Sequence, residues 1–387
     1  MFSNDLMENP HEGFRKLRAA GAVHESVTPD GEAVWVIARY AEARDALADS
    51  RLSLNKANAR THGGYRSSMP PELDAHLLNT DAPDHTRLRR LVSRAFTPRR
   101  VEALRPLIHK HVADLLDAAP GPEADLIGAL AEPLPVAVIC ELLGIPTNDR
   151  RDFRSWTSSL MSPLPGAASE SRAAMTNMYH FLVRILEEKR RHPTDDLLSE
   201  LLECHDEHDR LTEAELVSLS FLLLFAGYDN AMHLIGNAVL GLLLNPDHLK
   251  SLGNEHLSSR LVIEETLRWN APSALGVRRF ALQDLTIGGS VIPTGSRVWI
   301  ALISANRDEA QFEAPDDFNP HRNPGHLSLG HGAHYCLGAS LARLEAQVAI
   351  TTLVRSRPHL TLAIQPDELS WWPSFHKRGL QNLPVRW

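Results

Sequence analysis

The stretch Leu329-Gly-His-Gly-Ala-His-Tyr-Cys-Leu-Gly-Ala-Ser-Leu-Ala-Arg343 decides the fold. It sets Cys336 among Gly330, Gly332 and Gly338, directly before a helical pattern. Glycine lets a backbone bend tightly and approach a flat surface without a Cβ in the way. Backbone N–H groups at a helix start stabilise negative charge and lower the pKa of a thiol. The sequence therefore predicts a loop that presents a thiolate beneath a planar group.

Other interpretations of this cysteine are weaker but stay open. It can be a buried cysteine in a glycine-rich turn, while zinc is disfavoured because His334 is the only second ligand nearby. Cys140, Cys204 and Cys336 are odd in number and far apart, so neither a disulfide framework nor a four-cysteine zinc site is indicated. The segment Met1–Glu12 lacks the basic start and apolar stretch of a signal peptide. Both observations predict a cytoplasmic location.

The composition is that of a globular chain that does not bind nucleic acid. Of its 387 residues, 43% are hydrophobic and 23% are charged, which excludes a disordered or low-complexity protein. A chain of this size buries about three quarters of its surface, enough for a core that encloses a cofactor. The formal net charge of -8 argues against general binding to nucleic acid or to an anionic membrane.

Helical periodicity dominates the chain. Strand patterns appear only at Ala33–Ile37 and from Leu285 to Ser304. There is no internal repeat and no long polar linker, so residues 1–387 are predicted to form one domain, mainly α with a smaller β portion. The predicted helices are Glu42–Ala48, Val101–Ala118, Pro133–Leu143, Ala174–Arg190, Ser259–Trp269 and Ala339–Val354.

One further helix is predicted between Leu216 and Pro246, where Asp229 is the only formal charge. A carboxylate at the centre of a membrane span costs about 2.5 to 3.5 kcal/mol. A helix that is apolar on nearly every side is otherwise buried in the core of a large protein. We therefore expect no membrane insertion, and a helix of about 45 Å through the middle of the molecule.

The cysteine loop resembles the haem-binding signature of the cytochrome P-450 family, Phe-Gly-x-Gly-x-His-x-Cys-x-Gly, with Leu329 in place of the phenylalanine. Further matches run in the family's order from about Trp35 to Trp387 and are most similar to soluble bacterial members. The resemblance implies the cytochrome P-450 fold, with haem b between the long central helix and the cysteine loop. It makes Cys336 the axial ligand of the iron. It also implies that the loop glycines, Gly330, Gly332 and Gly338, line the haem site.

Four basic or hydrogen-bonding residues match the family's propionate ligands. His85 and Arg89 lie four apart and point the same way on a helix. Arg279 and His334 are their matching partners by resemblance. Glu265, in the family's Glu-x-x-Arg, is expected to form with its partners a structural network that supports the haem loop. Those partners are Arg268 and Arg322.

The segment Ala226-Gly-Tyr-Asp-Asn230 resembles the family's distal motif Ala-Gly-x-(Asp/Glu)-Thr. The resemblance implies that Gly227 leaves space for dioxygen and that Asp229 takes part in proton relay. Asn230 departs from the motif. An amide donates hydrogen bonds but does not relay a proton as a hydroxyl does, so the route of the proton is the weakest part of the resemblance.

The resemblance implies a monooxygenase that inserts one oxygen atom from O₂ into an apolar small molecule, by hydroxylation or epoxidation, in natural-product biosynthesis. Substrate contacts are expected from Asn55–Leu78, Leu160–Met175, Ala271–Val277 and Trp371–His376. Desaturation, oxidative coupling or a peroxide-driven reaction is the alternative that Asn230 motivates. A non-catalytic haem or ligand-binding protein is the third hypothesis.

Electrons are expected from a ferredoxin-type donor and its reductase. Between Arg87 and His111 there are eight Arg and Lys residues against Glu102 alone, a local charge of +7. Opposite charge steers encounter and sets orientation. The cluster is either a docking site for an acidic donor or a solvated helical face.

Overall fold

Helices make up most of the structure, which is a computed structural model. It describes residues 9–28, 31–59, 69–94, 96–119, 121–161, 168–206, 211–322 and 325–387, apart from the side chains of residues 154, 158, 161, 168 and 204–206. The helices are α1 (Pro10–Ala20), α2 (Tyr40–Ala48), α3 (Asp84–Ser93), α4 (Pro98–Ala103), α5 (Arg105–Asp117), α6 (Pro133–Leu142), α7 (Arg150–Met161), α8 (Ala168–Arg191), α9 (Leu197–Asp206), α10 (Glu213–Leu243), α11 (Pro246–Gly253), α12 (Ser259–Trp269), α13 (Leu302–Ala305) and α14 (Ala339–Ser356).

The strands are short and form three sheets. They are β1 (Val23–Val27), β2 (Ala33–Ile37), β3 (Leu52–Ser53), β4 (Glu123–Asp125), β5 (Arg279–Ala281), β6 (Leu285–Ile287), β7 (Ser290–Ile292), β8 (Arg297–Ile300), β9 (Thr361–Leu362) and β10 (Pro384–Arg386). The largest sheet has the order β1-β2-β8-β5-β3, and the smaller ones are β4-β10-β9 and β6-β7. In the largest sheet only β2 and β8 run parallel, with Ile37 opposite Ile300.

The long helix predicted between Leu216 and Pro246 is α10, and it is the centre of the molecule. It has 31 residues and begins with a capping box in which Thr212 and Glu215 satisfy each other's backbone N–H groups. It ends at Leu243 because Pro246 starts the next helix at a position where a missing N–H costs nothing. It packs against α6, α8, α12 and α14. Among the described residues, no helix combines the length and the apolar character that a membrane crossing requires.

Three predicted boundaries are wrong. The helix predicted to begin at Ala174 begins at Ala168. The pattern from Val101 to Ala118 is two helices that meet at Leu104, because Pro106 has no N–H for the helical ladder and restarts the helix. The strand pattern that continued to Ser304 ends at Ile300 and gives way to α13. A short, fully buried apolar run does not distinguish strand from helix by periodicity.

Strands outside Ala33–Ile37 and Leu285–Ser304 were not predicted, and each escaped for a physical reason. The strand β1 is Val-His-Glu-Ser-Val, an edge strand held by its pairing with β2 rather than by an apolar face. The strands β3, β4, β5, β9 and β10 have two or three residues, too few for a period of two to be visible. The strand β5 matters most for function because it carries Arg279.

A buried ion network on α12 supports the loop that leads to Cys336. The guanidinium of Arg268 is fully buried and binds Glu265 at 2.7 and 2.9 Å. It also donates to the backbone carbonyl of Asn306 at 3.1 Å, and the Asn306 side chain accepts from the Leu327 N–H at 2.8 Å. Arg322 joins through Glu265 at 3.1 Å. The expected structural network is confirmed.

Candidate active site

The cysteine loop has the tight backbone that its glycines predict. Gly330 and Gly332 have φ angles of +78° and +74°, the left-handed region that glycine alone enters without strain. The Cys336 N–H donates to the Leu329 carbonyl at 2.8 Å, which closes the turn. A Cβ on Gly332 would lie 3.1 Å from Ala48 Cα, so this glycine packs against α2 and does not border the cavity described next.

Cys336 borders a cavity of about 290 Å³. The α10 residues Ala226, Gly227 and Asn230 border the same cavity, as do Gly330 and Gly338 of the loop. A Cβ on Gly338 would meet no protein atom within 4 Å, so the loop backbone has open space beside it. Most of the remaining lining is apolar: Leu47, Leu54, Leu77, Leu78, Phe96, Ile139, Leu222, Leu223, Leu234, Leu275, Val277 and Leu302.

The cavity explains an interruption in the burial of α10. The helix is buried from Leu216 to Leu224, yet Ala226, Gly227 and Asn230 are exposed in its middle. These three residues border the cavity, and the nearest neighbour of a Cβ on Gly227 would be Ile139 at 3.5 Å. A larger side chain at position 227 would therefore fill cavity space.

Asp229 does not border the cavity. It is 6% exposed and pairs with Lys377 at 3.0 Å. His233, one turn further along α10, lies 3.6 Å from its other carboxylate oxygen. Burial lowers the pKa of His233 to about 4. Asp229, the acid expected to take part in proton relay, is thus held in an ion pair outside the cavity.

Asn230 has a partner that the sequence did not reveal. The Ser273 hydroxyl donates to the Asn230 side-chain carbonyl at 2.9 Å, and both residues border the cavity. Ser273 falls in the segment Ala271–Val277, where substrate contacts were expected. No spacing in the sequence connects position 273 with position 230, so only the fold could bring them together.

The four expected propionate ligands, His85, Arg89, Arg279 and His334, all border this cavity. The rings of His85 and His334 lie with their centroids 3.9 Å apart and their planes tilted by 40°. Arg89 donates to the Tyr335 carbonyl at 2.7 Å. Cationic or donor groups from α3, from β5 and from the cysteine loop thus converge on one place.

The electrostatics of these four groups favour an anion. Burial, followed by the neighbouring His85 and Arg279, lowers the pKa of His334 to about 3. Burial also lowers the pKa of Arg279 to about 10 and, aided by Arg89, the pKa of His85. The buried His85 Nε2 and Arg279 Nε bond to no described residue. Carboxylates placed here would satisfy both atoms and raise all three pKa values.

The thiol of Cys336 behaves differently from the sequence-based expectation. Burial raises its pKa, and this outweighs the Gly338 N–H and the charges of Arg89 and Arg343, which lower it. The N–H group at the helix start does lower the pKa, as expected, but its effect is smaller than that of burying the thiol. A bound metal cation deprotonates a coordinating thiol outright. An iron porphyrin with two carboxylates fits both the thiol and the cationic groups.

The expected substrate segments contribute unequally. Leu77, Leu78, Leu275 and Val277 border the cavity, whereas no residue from Trp371 to His376 does. Positions 60–68 of the first segment and 162–167 of the second lie outside the described residues.

The basic cluster between Arg87 and His111 is partly neutralised by ion pairs. Within the described part of the chain, Arg94 and Arg99 are exposed and form no ion pair. The paired members are Arg87 with Glu215, Arg100 with Glu200, Arg105 with Glu102 and Lys110 with Asp114. The surface available to an acidic partner is smaller than the sequence charge of +7 suggests.

The chain is similar to known proteins in both sequence and structure. The family model described as Cytochrome P450 matches residues 142–368, more than half of the chain. Cytochrome P450 107B1 of Saccharopolyspora erythraea is 44% identical, over 100% of this chain and 96% of that protein. The mycinamicin IV hydroxylase/epoxidase of Micromonospora griseorubida is 38% identical, over 97% of this chain and 94% of that protein. The solved structure of the P450 monooxygenase TamI bound to tirandamycin C has a TM-score of 0.90 and 41% identity, over 99% of this chain and 98% of that chain.

Proposed function

Because the chain belongs to the cytochrome P450 family, we propose that it is a haem-thiolate monooxygenase whose oxygen-activating site is the cavity between Cys336 and α10. It is an oxidoreductase that inserts one oxygen atom from O₂ into an apolar small molecule, by hydroxylation or epoxidation, in natural-product biosynthesis. The observation that carries the assignment of the site is that Cys336, the four proposed propionate ligands and three residues of the distal motif, Ala226, Gly227 and Asn230, border one cavity.

The cofactor in this proposal is haem b. Cys336 would hold its iron, and His85, Arg89, Arg279 and His334 would bind its propionates. When bound, a haem with a thiolate ligand supplies the chemistry that favours O–O cleavage. The loop glycines Gly330 and Gly338 allow the backbone to approach the macrocycle, and Gly332 keeps the loop against α2.

On the α10 side, the chain's own residues make room and hold protons. Ala226 and Gly227 leave space for dioxygen because neither side chain fills the cavity. Asn230 offers amide N–H groups there. Asp229 is ion-paired with Lys377 behind this surface and does not reach the cavity, so any part it takes in proton relay is indirect.

The lining supports a substrate that is largely apolar. Leucines, Ile139, Phe96 and Val277 dominate the wall, and the polar groups are few. A largely apolar cavity excludes ions and accepts a hydrophobic or amphipathic molecule. The relative named as a hydroxylase/epoxidase of mycinamicin IV and the TamI structure with tirandamycin C support a natural product as the substrate.

The redox partner is an electron donor, and we propose the ferredoxin type with its reductase. Arg94 and Arg99 are the exposed charges that an acidic donor would meet first. The proposal includes one catalytic domain over residues 1–387 and a cytoplasmic location, where such a donor is reduced.

Labelled O₂ tests the proposed function. Purified holoprotein should show a strongly red-shifted Soret band for its reduced carbon monoxide adduct, as thiolate ligation requires. With ferredoxin, ferredoxin reductase and a hydrophobic substrate, the product should contain one labelled oxygen atom. A histidine-type spectrum would reject the haem-thiolate site.

A second candidate keeps the haem and changes the outcome to desaturation, oxidative coupling or a peroxide-driven reaction. The observation that favours it is Asn230, an amide where the family's motif has an alcohol. A product formed with consumption of electrons but without labelled oxygen would decide for desaturation or oxidative coupling, and a product formed from hydrogen peroxide without an electron donor would decide for the peroxide-driven reaction.

A further inference from the structure

Two consecutive side chains of α10 are held by two residues that face each other across a β-bridge. Ser273 and Lys377 form an isolated antiparallel bridge between the loop after α12 and the C-terminal loop. The N–H groups of Ala274 and Arg378 donate across this bridge at 2.8 Å each. The bridge therefore fixes the position of Ser273 relative to Lys377.

Each bridge residue binds one residue of α10. Lys377 Nζ lies 3.0 Å from an Asp229 carboxylate oxygen, and the Ser273 hydroxyl donates to Asn230 Oδ1 at 2.9 Å. Asp229 is buried whereas Asn230 faces the cavity. The ion pair between Lys377 and Asp229 thus fixes the bridge against α10, and the bridge in turn holds the Ser273 hydroxyl at the side-chain amide of Asn230.

This contact decides which end of the amide faces the cavity. The Asn230 carbonyl is engaged by Ser273, while Asn230 Nδ2 makes no hydrogen bond to a described residue. A hydroxyl that donates one hydrogen bond keeps lone pairs with which it can accept another. The wall therefore presents a donor, Nδ2, beside an acceptor, Oγ, within a lining that is otherwise mostly apolar.

We propose that Ser273 is a positioning residue for Asn230, and that Asn230 Nδ2 and Ser273 Oγ together bind one hydroxyl group. The inference rests on the proposed function of this cavity. A hydroxyl is the group that fits because it accepts from Nδ2 and donates to Oγ at the same time. The bound group need carry no charge, because Asp229 balances the charge of Lys377 behind Asn230 and Ser273. The hydroxyl comes either from the substrate or from a bound water.

If the hydroxyl belongs to the substrate, the holoenzyme should bind an alcohol more tightly than the corresponding hydrocarbon. The probes are cyclododecanol and cyclododecane, which share the same apolar ring, and the measurement is isothermal titration calorimetry on the holoenzyme. We expect Ser273→Ala to reduce the ratio of the two affinities about fivefold to tenfold, the size of one hydrogen bond. Ser273→Thr, which retains the hydroxyl, should preserve the ratio.

Matched controls separate positioning from packing. Ser220 on α10 is buried, and its hydroxyl donates to the Leu216 carbonyl within the helix. Ser220→Ala should leave the affinity ratio unchanged. Crystal structures of wild type and Ser273→Ala with each probe should show the amide fixed in the first and turned in the second.

The outcomes assign the hydroxyl or reject the site. Equal affinity of the wild type for both probes, with a water between Ser273 Oγ and Asn230 Nδ2 in its crystal structure, would assign the site to water. Equal affinity without such a water would overturn the proposal, as would a wild-type preference for the alcohol that Ser273→Ala leaves unchanged. The carbon monoxide spectrum of every variant is recorded alongside, so that a failure of the haem-thiolate assignment is distinguished from a failure at Ser273.

Discussion

The cysteine side of the cavity and the α10 side are built in different ways. On the cysteine side, Arg268 alone makes hydrogen bonds to Glu265 and to three backbone carbonyls, and the loop backbone bonds to itself. On the α10 side, Asn230 depends on one hydroxyl from a distant loop. The comparison teaches that the cysteine side is fixed by many buried hydrogen bonds, whereas the orientation of the Asn230 side chain on the α10 side depends on a single contact.

The largest effect is expected on the cysteine side, at Cys336 itself. Cys336→Ala should abolish the thiolate-type carbon monoxide spectrum, because no other described cysteine borders the cavity. Cys140 is the control: burial raises the pKa of its thiol to about 12, and Cys140→Ala should keep the spectrum. Loss of the spectrum in Cys140→Ala would mean that the wrong thiol had been chosen.

The next largest effect is expected for Arg268→Ala, because this substitution removes the main ion-pair partner of the buried Glu265 carboxylate. Breaking a buried ion pair in this way costs about 3 to 5 kcal/mol. Chemical denaturation should show this loss, and haem content should fall with it. Arg322 is 14% exposed at its side chain, so Arg322→Ala should cost less. A normal midpoint for Arg268→Ala would show that the Arg268 network does not stabilise the cysteine side.

On the α10 side, acid should weaken the fold through His233. Its pKa is about 4 when folded and about 6.5 in an unfolded chain. The unfolded state therefore takes up the proton first as the pH falls. The contribution of neutral, buried His233 to the free energy of unfolding is complete above pH 6.5. It is lost between pH 6.5 and about 4, at about 1.4 kcal/mol per pH unit for one histidine.

The measurement is the free energy of unfolding against pH for wild type and His233→Gln. Between pH 6.5 and about 4, the free energy of unfolding of the variant should change less steeply with pH than that of wild type, by the contribution of about one histidine. His359→Gln, at an exposed position, is the control. Parallel slopes for all three proteins would remove His233 as a source of the acid sensitivity.

The smallest effect concerns the surface. Arg94→Glu combined with Arg99→Glu should lower ferredoxin-supported turnover roughly threefold to tenfold at low ionic strength, and less at high salt, because salt screens steering. Arg151, 95% exposed on α7, supplies the control Arg151→Glu. Equal turnover rates for the double variant and wild type at every ionic strength would show that the cluster is a solvated helical face and not a docking site.

Several features followed from local sequence alone. The turn glycines beside Cys336, the apolar run of α10 and the spacing of His85 and Arg89 are patterns of near neighbours, so periodicity and turn chemistry predict them. The short strands were missed because their pairing partners lie far away in the chain. The Cys336 pKa was misjudged because burial is a property of the whole fold and outweighs the local N–H groups.

The sequence by itself determined the family, the cysteine proposed as the haem ligand, the central helix and the departure at Asn230. Tertiary structure alone decided that Asp229 lies behind the cavity, that Lys377 holds it, and that Ser273 supplies the hydroxyl next to Asn230. The physical reason is range. A residue type and its spacing specify the local backbone, but the partner of a side chain depends on packing between segments that are separated by tens or hundreds of residues.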